Sequence, residues 1–528
     1  VSNNGTVQGC TVNHITLHVQ GASNVGASQD AATKMANAAH IGGIVGRNSG
    51  KIENSLIATD STRSTITAHG GFVGGVAGSN SGSITTSGGK DTKALVQQIN
   101  DWLAVPYKKE ADGTTTTGGD TAARNANLNA MVRVLTNATY TGDASSKPQA
   151  TQSADEAALV TKFKALQGVD EVSKSSTDNQ LKITLKGGDT RGSFANGYLG
   201  GITGFNDVTG QISDSASGKW FVYADNINQS WGAVGGIVGQ NESNADSTSG
   251  LVNLAAVRRF VRGVYNTDDD DANNKWEWNG WQGIDHSNDR YTTKEEDTQA
   301  DNYVGGVIGT QQNRTGDLWT LKNCVNLGTV FNSRSNNAGG VLAYWLGYGG
   351  TLDNCFNFGT IATNSNNGKD SGTVGGVAGY FNSPVAGTAV NLYKCRNYGS
   401  VRIVTNGAND VGGIFGKVQM QKKDDAMTIN IVECVTGSNV KLRANSMAVG
   451  IFSYIGPYEV IPNVEVNIDR CRNYCYNLDC GNITAGIFGN RGNPYNSEGG
   501  MKKNTITKCF TLGGGYNGGV RPAVTFNE

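Results

Sequence analysis

A short phrase built on paired glycines recurs along the whole chain and constrains its fold more than any other feature. The ten copies are GGIVG at Gly42, GGVAG at Gly74, GGITG at Gly200, GGIVG at Gly235, GGVIG at Gly305, GGVLA at Gly339, GGVAG at Gly375, GGIFG at Gly412, VGIFS at Val449 and AGIFG at Ala485. Seven of the nine spacings between successive copies lie between 32 and 37 residues. A fixed period of this length is typical of stacked repeats, in which each repeat contacts its neighbours.

A second phrase, which often carries cysteine, lies between the glycine phrases. Its copies are GCTV at Gly9, NCVNLGTV at Asn323, NCFNFGTI at Asn354, KCRNYGSV at Lys394, ECVTG at Glu433, RCRNYC at Arg470 and KCFTLG at Lys508. Both phrases are short, rich in β-formers and bounded by Gly, Asn, Asp or Ser, which indicates strands joined by tight turns. Helical arrays of this period need helix formers where this chain has Gly, Asn and Thr.

The repeat predicts an all-β solenoid, a right-handed parallel β-helix of about ten or more coils. The chain contains 74 glycines and 7 prolines, but glycine does not fall at every third position, so a collagen helix is excluded. In a solenoid, equivalent residues of successive coils stack in ladders, and glycine permits bends that a side chain would block.

Two residue types are expected to form ladders. The cysteines of the second phrase are predicted to point inward as small apolar groups; they are Cys324, Cys355, Cys395, Cys434, Cys471 and Cys509. The asparagines two residues later are predicted to form an amide ladder at the turn; they are Asn326, Asn357, Asn397 and Asn473. A metal site is disfavoured because the chain has no CxxC pair, and disulfides between stacked cysteines are possible but not needed.

Two of the nine spacings depart from the repeat period of 32 to 37 residues. The gap of 126 residues equals one coil plus about ninety residues. This divides the chain into N-terminal coils (1–89), an inserted small α/β lobe (90–190) with three amphipathic helices and the strand NQLKITLKG, and a continuation of the β-helix (191–528). The gap of 70 residues is read as two coils: a degenerate coil near NLAAVRRFVRGVY, then a polar loop at 266–303.

Tryptophan is concentrated around this loop. Seven of the eight tryptophans fall within 126 residues; they are Trp220, Trp231, Trp276, Trp278, Trp281, Trp319 and Trp345. Exposed indoles beside carboxylates are a common means of holding sugars. The predicted substrate-binding residues are Trp276, Trp278, Trp281, Trp220, Trp345 and His286. The alternative is that these rings pack the loop against the solenoid wall.

Two pairs of aspartates are candidate catalytic groups. Asp285 and Asp289 flank His286 in the loop, and Asp207 and Asp214 form a second pair. A retaining glycosidase needs one carboxyl group as acid and another as nucleophile. The alternative is that they are solvated turn acids, and Asp214 aligns with the turn residue Asn54.

Cofactor requirements and the balance of charged residues further limit the functions that the sequence predicts. No cofactor is required by this chemistry, although the DDDD run at Asp268 is compatible with a structural Ca²⁺. The 43 basic and 44 acidic residues nearly balance, which disfavours nucleic acid as a partner, and no apolar stretch is long enough to predict membrane insertion. Because the chain begins with Val1 and shows no signal peptide, it is read as a mature or excised portion of a longer polypeptide.

The units GGIVGRNSGKIENS, GGVAGSNSGSI and GGIVGQNES resemble the GLUG-type repeats of bacterial cell-surface proteins. The resemblance implies an extracellular, secreted or wall-anchored protein with further surface domains on the same polypeptide. More distantly, the chain resembles the β-helical lacto-N-biosidases of gut bacteria, which implies a sugar cleft on the flank of the helix. Two hypotheses follow: a retaining glycoside hydrolase that releases sugars from host or milk-type oligosaccharides, and a non-catalytic adhesin or glycan-binding stalk. The partner in both is an oligosaccharide or glycoconjugate.

Overall fold

The structure is a computed structural model, and it describes twenty-three stretches of the chain. These are residues 1–20, 33, 36–58, 64–104, 154–167, 181–187, 196–225, 232–243, 248–260, 303–313, 319–332, 337–363, 372–383, 385–403, 410–420, 422, 425–456, 461–475, 477–480, 483–489, 501–507, 509–511 and 524–527.

The described chain forms a parallel β-helix in which each complete coil contributes one strand to each of five sheets. One coil runs through Asn337–Gly339, Leu342–Gly347, Gly350–Asp353, Phe356–Asn357 and Ile361–Thr363, which lie in sheets 1 to 5 respectively. Every one of these strands pairs in parallel with its equivalents in the neighbouring coils. The predicted solenoid is therefore confirmed, and sheets 1 and 2 contain ten strands each.

The strands of each sheet are as follows. Sheet 1 contains His40–Gly42, Gly71–Gly74, Gly197–Gly200, Ala233–Gly235, Tyr303–Gly305, Asn337–Gly339, Thr373–Gly375, Asp410–Gly412, Met447–Val449 and Ile483–Ala485. Sheet 2 contains Ser2–Asn3, Val45–Asn48, Ala77–Asn80, Thr203–Asn206, Val238–Asn241, Ile308–Asn313, Leu342–Gly347, Ala378–Ser383, Phe415–Met420 and Phe452–Gly456. Sheet 3 contains Thr6–Gln8, Lys51–Glu53, Ser83–Thr85, Gln211–Ser213, Thr248–Ser249, Trp319–Lys322, Gly350–Asp353, Thr388–Tyr393, Met427–Val432, Ile461–Asp469, Met501–Thr507 and Val524–Asn527.

Sheets 4 and 5 complete the coil. Sheet 4 contains Thr11–Val12, Leu56–Ile57 and Gly88–Gly89, then Val252–Asn253, Val325–Asn326, Phe356–Asn357, Arg396–Asn397, Val435–Thr436, Arg472–Asn473 and Phe510–Thr511. Isolated bridges through Ala216 connect its two groups of strands. Sheet 5 contains Thr16–Val19, Ser64–Ala68, Leu181–Lys186, Phe221–Asp225, Ala256–Phe260, Val330–Asn332, Ile361–Thr363, Val401–Ile403, Lys441–Ala444 and Asn477–Cys480.

The glycine phrase forms the bend between sheets 1 and 2. A Cβ atom on Gly340 would lie 2.1 Å from the carbonyl oxygen of Gly376 and 2.4 Å from Cγ of Asn357, so no side chain fits. Gly306 and Gly376 face Asn326 and Asn397 in the same way. The two repeated phrases thus meet across the interior, which explains why they recur together.

The turn between sheets 3 and 4 uses a left-handed residue in nearly every coil. Eight of these residues are Asn54, Thr86, Asp214, Asn323, Asn354, Lys394, Glu433 and Arg470, with φ between 46° and 57°. The left-handed backbone conformation costs free energy for any residue with a side chain, and this cost is smallest for Asn and Asp. Because the corner recurs in register, tertiary stacking imposes it on Lys394 and Arg470 as well.

The predicted cysteine ladder is confirmed, and the predicted amide ladder is confirmed for three of its four members. Five cysteines of the second phrase are fully buried, Cys509 is half-buried, and all nine cysteines of the chain are free thiols. The amide ladder runs from Asn253 through Asn326 and Asn357 to Asn397, each Nδ2 donating to the next Oδ1 at 2.8 Å. Thr436 then interrupts it, while the predicted member Asn473 donates from Nδ2 to Oγ1 of Thr511 at 3.1 Å.

The inserted lobe ends earlier along the chain than predicted. Helices α1 (Thr92–Ala104) and α2 (Ala154–Gln167) are present, and the helix predicted at 121–140 lies outside the described residues. The strand predicted for the lobe, Leu181–Lys186, instead pairs on both sides within sheet 5. Because this strand is part of the solenoid, the insertion ends before Leu181. The helices pack on the outer face of sheet 4, where Phe163 stacks on Phe358 at 4.5 Å.

The gap of 70 residues is also corrected. The strand Ala233–Gly235 pairs directly with Tyr303–Gly305, so the interval is one coil and not two. NLAAVRRF, predicted as part of a degenerate coil, supplies regular strands of sheets 4 and 5. The additional residues lie between the strands Ala256–Phe260 and Tyr303–Gly305, at the junction of sheets 5 and 1.

Candidate functional site

Two of the predicted sugar-binding tryptophans are interior residues. Trp220 and Trp345 are each 1% exposed and belong to the hydrophobic core. Trp345 packs edge-on against Trp319 at 5.3 Å and Phe381 at 5.0 Å, and its Nε1 donates to the carbonyl oxygen of Tyr348 at 3.2 Å. Neither indole presents a face to solvent. The expectation that they stack on a sugar is therefore corrected: they fill the interior of the solenoid.

The other predicted site residues of the loop lie outside the described residues. These are Trp276, Trp278, Trp281, Asp285, His286 and Asp289, together with Trp231 and the acidic run at Asp268. Of the predicted loop 266–303, the structure describes only Tyr303, which begins a strand of sheet 1.

Asp207 stabilises the turn that follows sheet 2. Its Oδ1 accepts a hydrogen bond from the backbone N–H of Val208 at 2.6 Å, and its Oδ2 accepts one from Oγ of Ser81 at 3.2 Å. Its backbone carbonyl accepts from the N–H of Gly210 at 2.9 Å. These contacts are those of a turn residue that hydrogen-bonds its own backbone.

Asp214 occupies the left-handed corner between sheets 3 and 4, with φ of 46°. Its Oδ1 accepts from Nδ2 of Asn100, on α1, at 3.5 Å. Asp207 and Asp214 stand at opposite ends of the strand Gln211–Ser213, at different corners of the coil. Both have the geometry expected of turn acids, and the alignment of Asp214 with Asn54 is confirmed by their shared backbone conformation.

A polar and aromatic surface runs along the outside of sheet 2 in the C-terminal coils. Trp345 points into the core, and because successive side chains of a strand point to opposite faces, the adjacent Tyr344 lies on the outer face. We call this surface the tyrosine–amide face and define it as Tyr303 of the neighbouring sheet 1 with Gln312, Tyr344, Tyr380, Asn382, Lys417 and Gln419 of sheet 2. Tyr344 is buried and the other six are half-buried, whereas Tyr454, in register with Lys417 on the next coil, is 1% exposed and belongs to the core.

The aromatic members of this face form one column along the helix axis. Tyr303 stacks on Tyr344 with ring centroids 3.7 Å apart, and Tyr344 stacks on Tyr380 at 5.4 Å. The ammonium of Lys417 lies 5.4 Å from the ring of Tyr380 and 5.3 Å from that of Tyr454. Because neighbouring rings and the lysine occupy the ring faces, the column offers mainly its edges and hydroxyl groups.

Amide groups flank the column on the same sheet. Asn382 donates from Nδ2 to the hydroxyl of Tyr344 at 3.2 Å. Gln312 and Gln419 stand on the neighbouring coils on either side, in half-buried positions. Amides and phenols both donate and accept hydrogen bonds. The face therefore presents neutral groups of both kinds at the spacing of successive strands, about 4.8 Å.

Sequence reasoning missed this face, although a signal was present. In five consecutive repeats the outward residue stands five positions after the first residue of the glycine phrase; these residues are Thr310, Tyr344, Tyr380, Lys417 and Tyr454. The same position holds Arg47, Ser79 and Phe205 in earlier repeats. Tyrosine at one repeat position is visible only after the repeats are aligned by coil.

Within the described stretches, no group of three or more His, Cys, Asp or Glu side chains converges to hold a metal ion. Neither described helix is long and apolar enough to cross a membrane. Comparison of the chain with protein-family models, with curated proteins and with solved structures gives no match.

Proposed function

We propose that this protein is an extracellular glycan-binding β-helix and that the tyrosine–amide face is its binding surface. The observation that carries the proposal is the row of phenol and amide groups across four consecutive coils of sheet 2, half-buried in three of these coils. The extracellular location rests on the resemblance of the repeats to those of bacterial surface proteins.

The chemistry of this face suits a polyhydroxylated ligand. Sugar hydroxyls need partners that donate and accept, and Tyr380, Asn382 and Gln419 supply both without a formal charge. Their side chains are held by stacking and hydrogen bonds before any ligand arrives, so little side-chain entropy remains to be lost on binding. The row follows the helix axis, which favours a linear chain over a compact small molecule.

Binding to a panel of neutral and acidic oligosaccharides tests this proposal. With the tightest glycan, the double substitution Tyr380→Ala and Asn382→Ala should weaken affinity at least about tenfold, or about 1.4 kcal/mol. Tyr223→Ala is the matched control, because Tyr223 is also half-buried with a lysine ammonium 5.4 Å from its ring, but on sheet 5. Equal affinity of the double variant and the wild-type protein would refute the proposed face.

A retaining glycoside hydrolase is the second candidate function. The clustering of tryptophan and acids at 266–303 favours it, with Asp285 and Asp289 as acid and nucleophile. A chromogenic glycoside panel tests it with Asp285→Asn and Asp289→Asn, each of which should abolish turnover. Hydrolysis unchanged in both variants would remove this pair. Binding without any hydrolysis by the wild-type protein would leave the glycan-binding function alone.

A further inference from the structure

The interior of the C-terminal half contains a continuous column of thiols, which nothing in the glycan proposal uses. It consists of Cys324, Cys355, Cys395, Cys434, Cys471 and Cys509, one from each of six successive coils. The first five are fully buried, and Cys509, at the C-terminal end, is half-buried. No column member is engaged in a disulfide.

The cysteines are stacked in register by the backbone. The N–H of Phe356 donates to the carbonyl oxygen of Cys324 at 2.8 Å, and the N–H of Arg396 donates to that of Cys355 at 3.0 Å. The thiols follow the same register, since the Sγ atoms of Cys355 and Cys395 each hydrogen-bond at 3.5 Å to the carbonyl oxygen two residues earlier and to a carbonyl oxygen of the preceding coil. Successive sulphur atoms are therefore spaced by the strand repeat, about 4.8 Å along the axis.

This spacing matches a linear sulphur–metal–sulphur unit. A metal–thiolate bond of about 2.3 Å, the length found at zinc sites, spans about 4.6 Å when two such bonds lie in line. A tetrahedral ion needs four ligands, and no described group offers even three. The column thus disfavours Zn²⁺ and suits soft ions that accept two thiolates.

We propose that the thiol column binds soft monovalent cations of the Cu(I) class, one between each pair of neighbouring sulphur atoms. Six sulphurs in line leave five such gaps. Thiolate ligands select Cu(I) over the harder divalent ions.

Binding exchanges protons for metal and transfers no electrons. Each monovalent ion displaces one thiol proton to solvent, and the ion then bridges two sulphurs, so the net charge of the column does not change. This neutrality matters because an uncompensated charge in the core would carry a large desolvation cost. Because each ion replaces a thiol proton, uptake should strengthen as pH rises.

The N-terminal coils provide the design of the test. Ser55, Ser87 and Ser215 occupy the same turn position, and the Oγ of each donates to the carbonyl oxygen two residues earlier at 2.8–3.1 Å. Cys355 Sγ makes the equivalent bond to Asp353 at 3.5 Å. Serine is therefore compatible with this backbone, and Cys395→Ser should interrupt the column without unfolding the coil.

The full chain is titrated with Ag⁺, a redox-inert probe of this class, in chloride-free buffer. Proton release, ultraviolet sulphur-to-silver absorption and X-ray absorption at the silver edge are recorded. We expect about five ions with two sulphur neighbours each, and a loss of about two ions in Cys395→Ser. The matched control Cys10→Ser, which removes an exposed thiol outside the column, should keep the two-sulphur signature and lose at most one ion.

Circular dichroism of each variant establishes that the β-helix is retained. Equal Ag⁺ uptake by Cys395→Ser and the wild-type protein would overturn the proposal. So would loss of the two-sulphur signature in Cys10→Ser, or a wild-type protein that takes up no more silver than its exposed thiol accounts for.

Discussion

The N-terminal and C-terminal coils share one backbone but place their buried polar ladders at different corners. In the N-terminal half an amide ladder runs at the end of sheet 2; its members are Asn3, Asn48, Asn80, Asn206, Asn241 and Gln311, linked side chain to side chain at 2.6–2.8 Å. In the C-terminal half that position holds Trp345, Phe381, Val418 and Ile455, and the ladder lies in sheet 4 instead.

This change shows what the coil requires. One column of amides is enough to satisfy buried polar groups along the axis, and the opposite corner is then filled with apolar side chains. The changeover comes next to the long interval between Ala256–Phe260 and Tyr303–Gly305, because Gln311 ends one ladder and Asn253 begins the other.

The outer surface of sheet 2 changes in the same place. In the N-terminal coils Phe205 of sheet 2 stacks on Phe72 and Tyr198 of the neighbouring sheet 1, and all three rings are buried. In the C-terminal coils the corresponding surface is the half-buried tyrosine–amide face. The two halves therefore differ both in how the core is filled and in what the surface offers to a ligand.

The largest expected effect comes from the bend that links the two repeated phrases. Gly340→Ala places a Cβ 2.1 Å from a backbone oxygen, so we expect a loss of more than about 4 kcal/mol. Gly5→Ala, in the N-terminal coils, is the control, since a Cβ there meets no atom within 4 Å. Denaturant unfolding measures both. Similar stabilities for the two variants would contradict the role assigned to the glycine phrase.

Removal of one amide from either ladder should destabilise the protein less than Gly340→Ala does. Asn357→Ala and Asn80→Ala each leave buried donors and acceptors without partners, and we expect a loss of about 3 kcal/mol in both. Asn430→Ala, at a half-buried amide on the outside of sheet 3, should cost about 1 kcal/mol. Hydrogen exchange measures the loss of stability coil by coil. If only one of the two variants lost stability, the two ladders would not be equivalent.

Alkaline pH should destabilise the C-terminal coils more than the N-terminal coils. Burial raises the pKa of the Cys355 and Cys434 thiols. A buried thiol with a raised pKa contributes its full stabilisation as long as the pH is below the pKa of that thiol in the unfolded chain. This stabilisation is lost above about pH 8.5, because thiolates then form in the unfolded chain. Strands of the C-terminal coils should therefore lose exchange protection between pH 8 and 10 more than those beside Ser55 and Ser87. The double variant Cys355→Ser and Cys434→Ser should reduce this difference, and an unchanged difference would exclude the thiols as its cause.

The smallest expected effect is a gain. Nδ2 of Asn397 is buried without a hydrogen-bond partner, because the next coil has Thr436 in place of asparagine. Thr436→Asn supplies the missing acceptor and should stabilise the C-terminal coils by about 1 kcal/mol. Thr428→Asn, on the outer face of sheet 3, is the control and should change little. A destabilised Thr436→Asn protein would show that the ladder cannot be extended.

Features that repeat in register could be predicted from the sequence, and features that depend on alignment of coils could not. The glycine bends, the cysteine column and the Asn326–Asn357–Asn397 ladder follow from period and residue size alone. Trp220 and Trp345 were predicted to face a ligand because aromatic clustering does not reveal which side of a strand a ring occupies. NQLKITLKG and NLAAVRRF were misassigned because an insertion hides the coil to which a flanking strand belongs.

Hydrogen exchange of the full chain with and without its tightest glycan tests the proposed binding surface most directly. Protection should increase in the strands Ile308–Asn313, Leu342–Gly347, Ala378–Ser383 and Phe415–Met420, which carry the tyrosine–amide face. The N-terminal strands of the same sheet, Val45–Asn48 and Ala77–Asn80, should not change. Protection confined to residues 266–302, or to the N-terminal strands, would contradict glycan binding at this face.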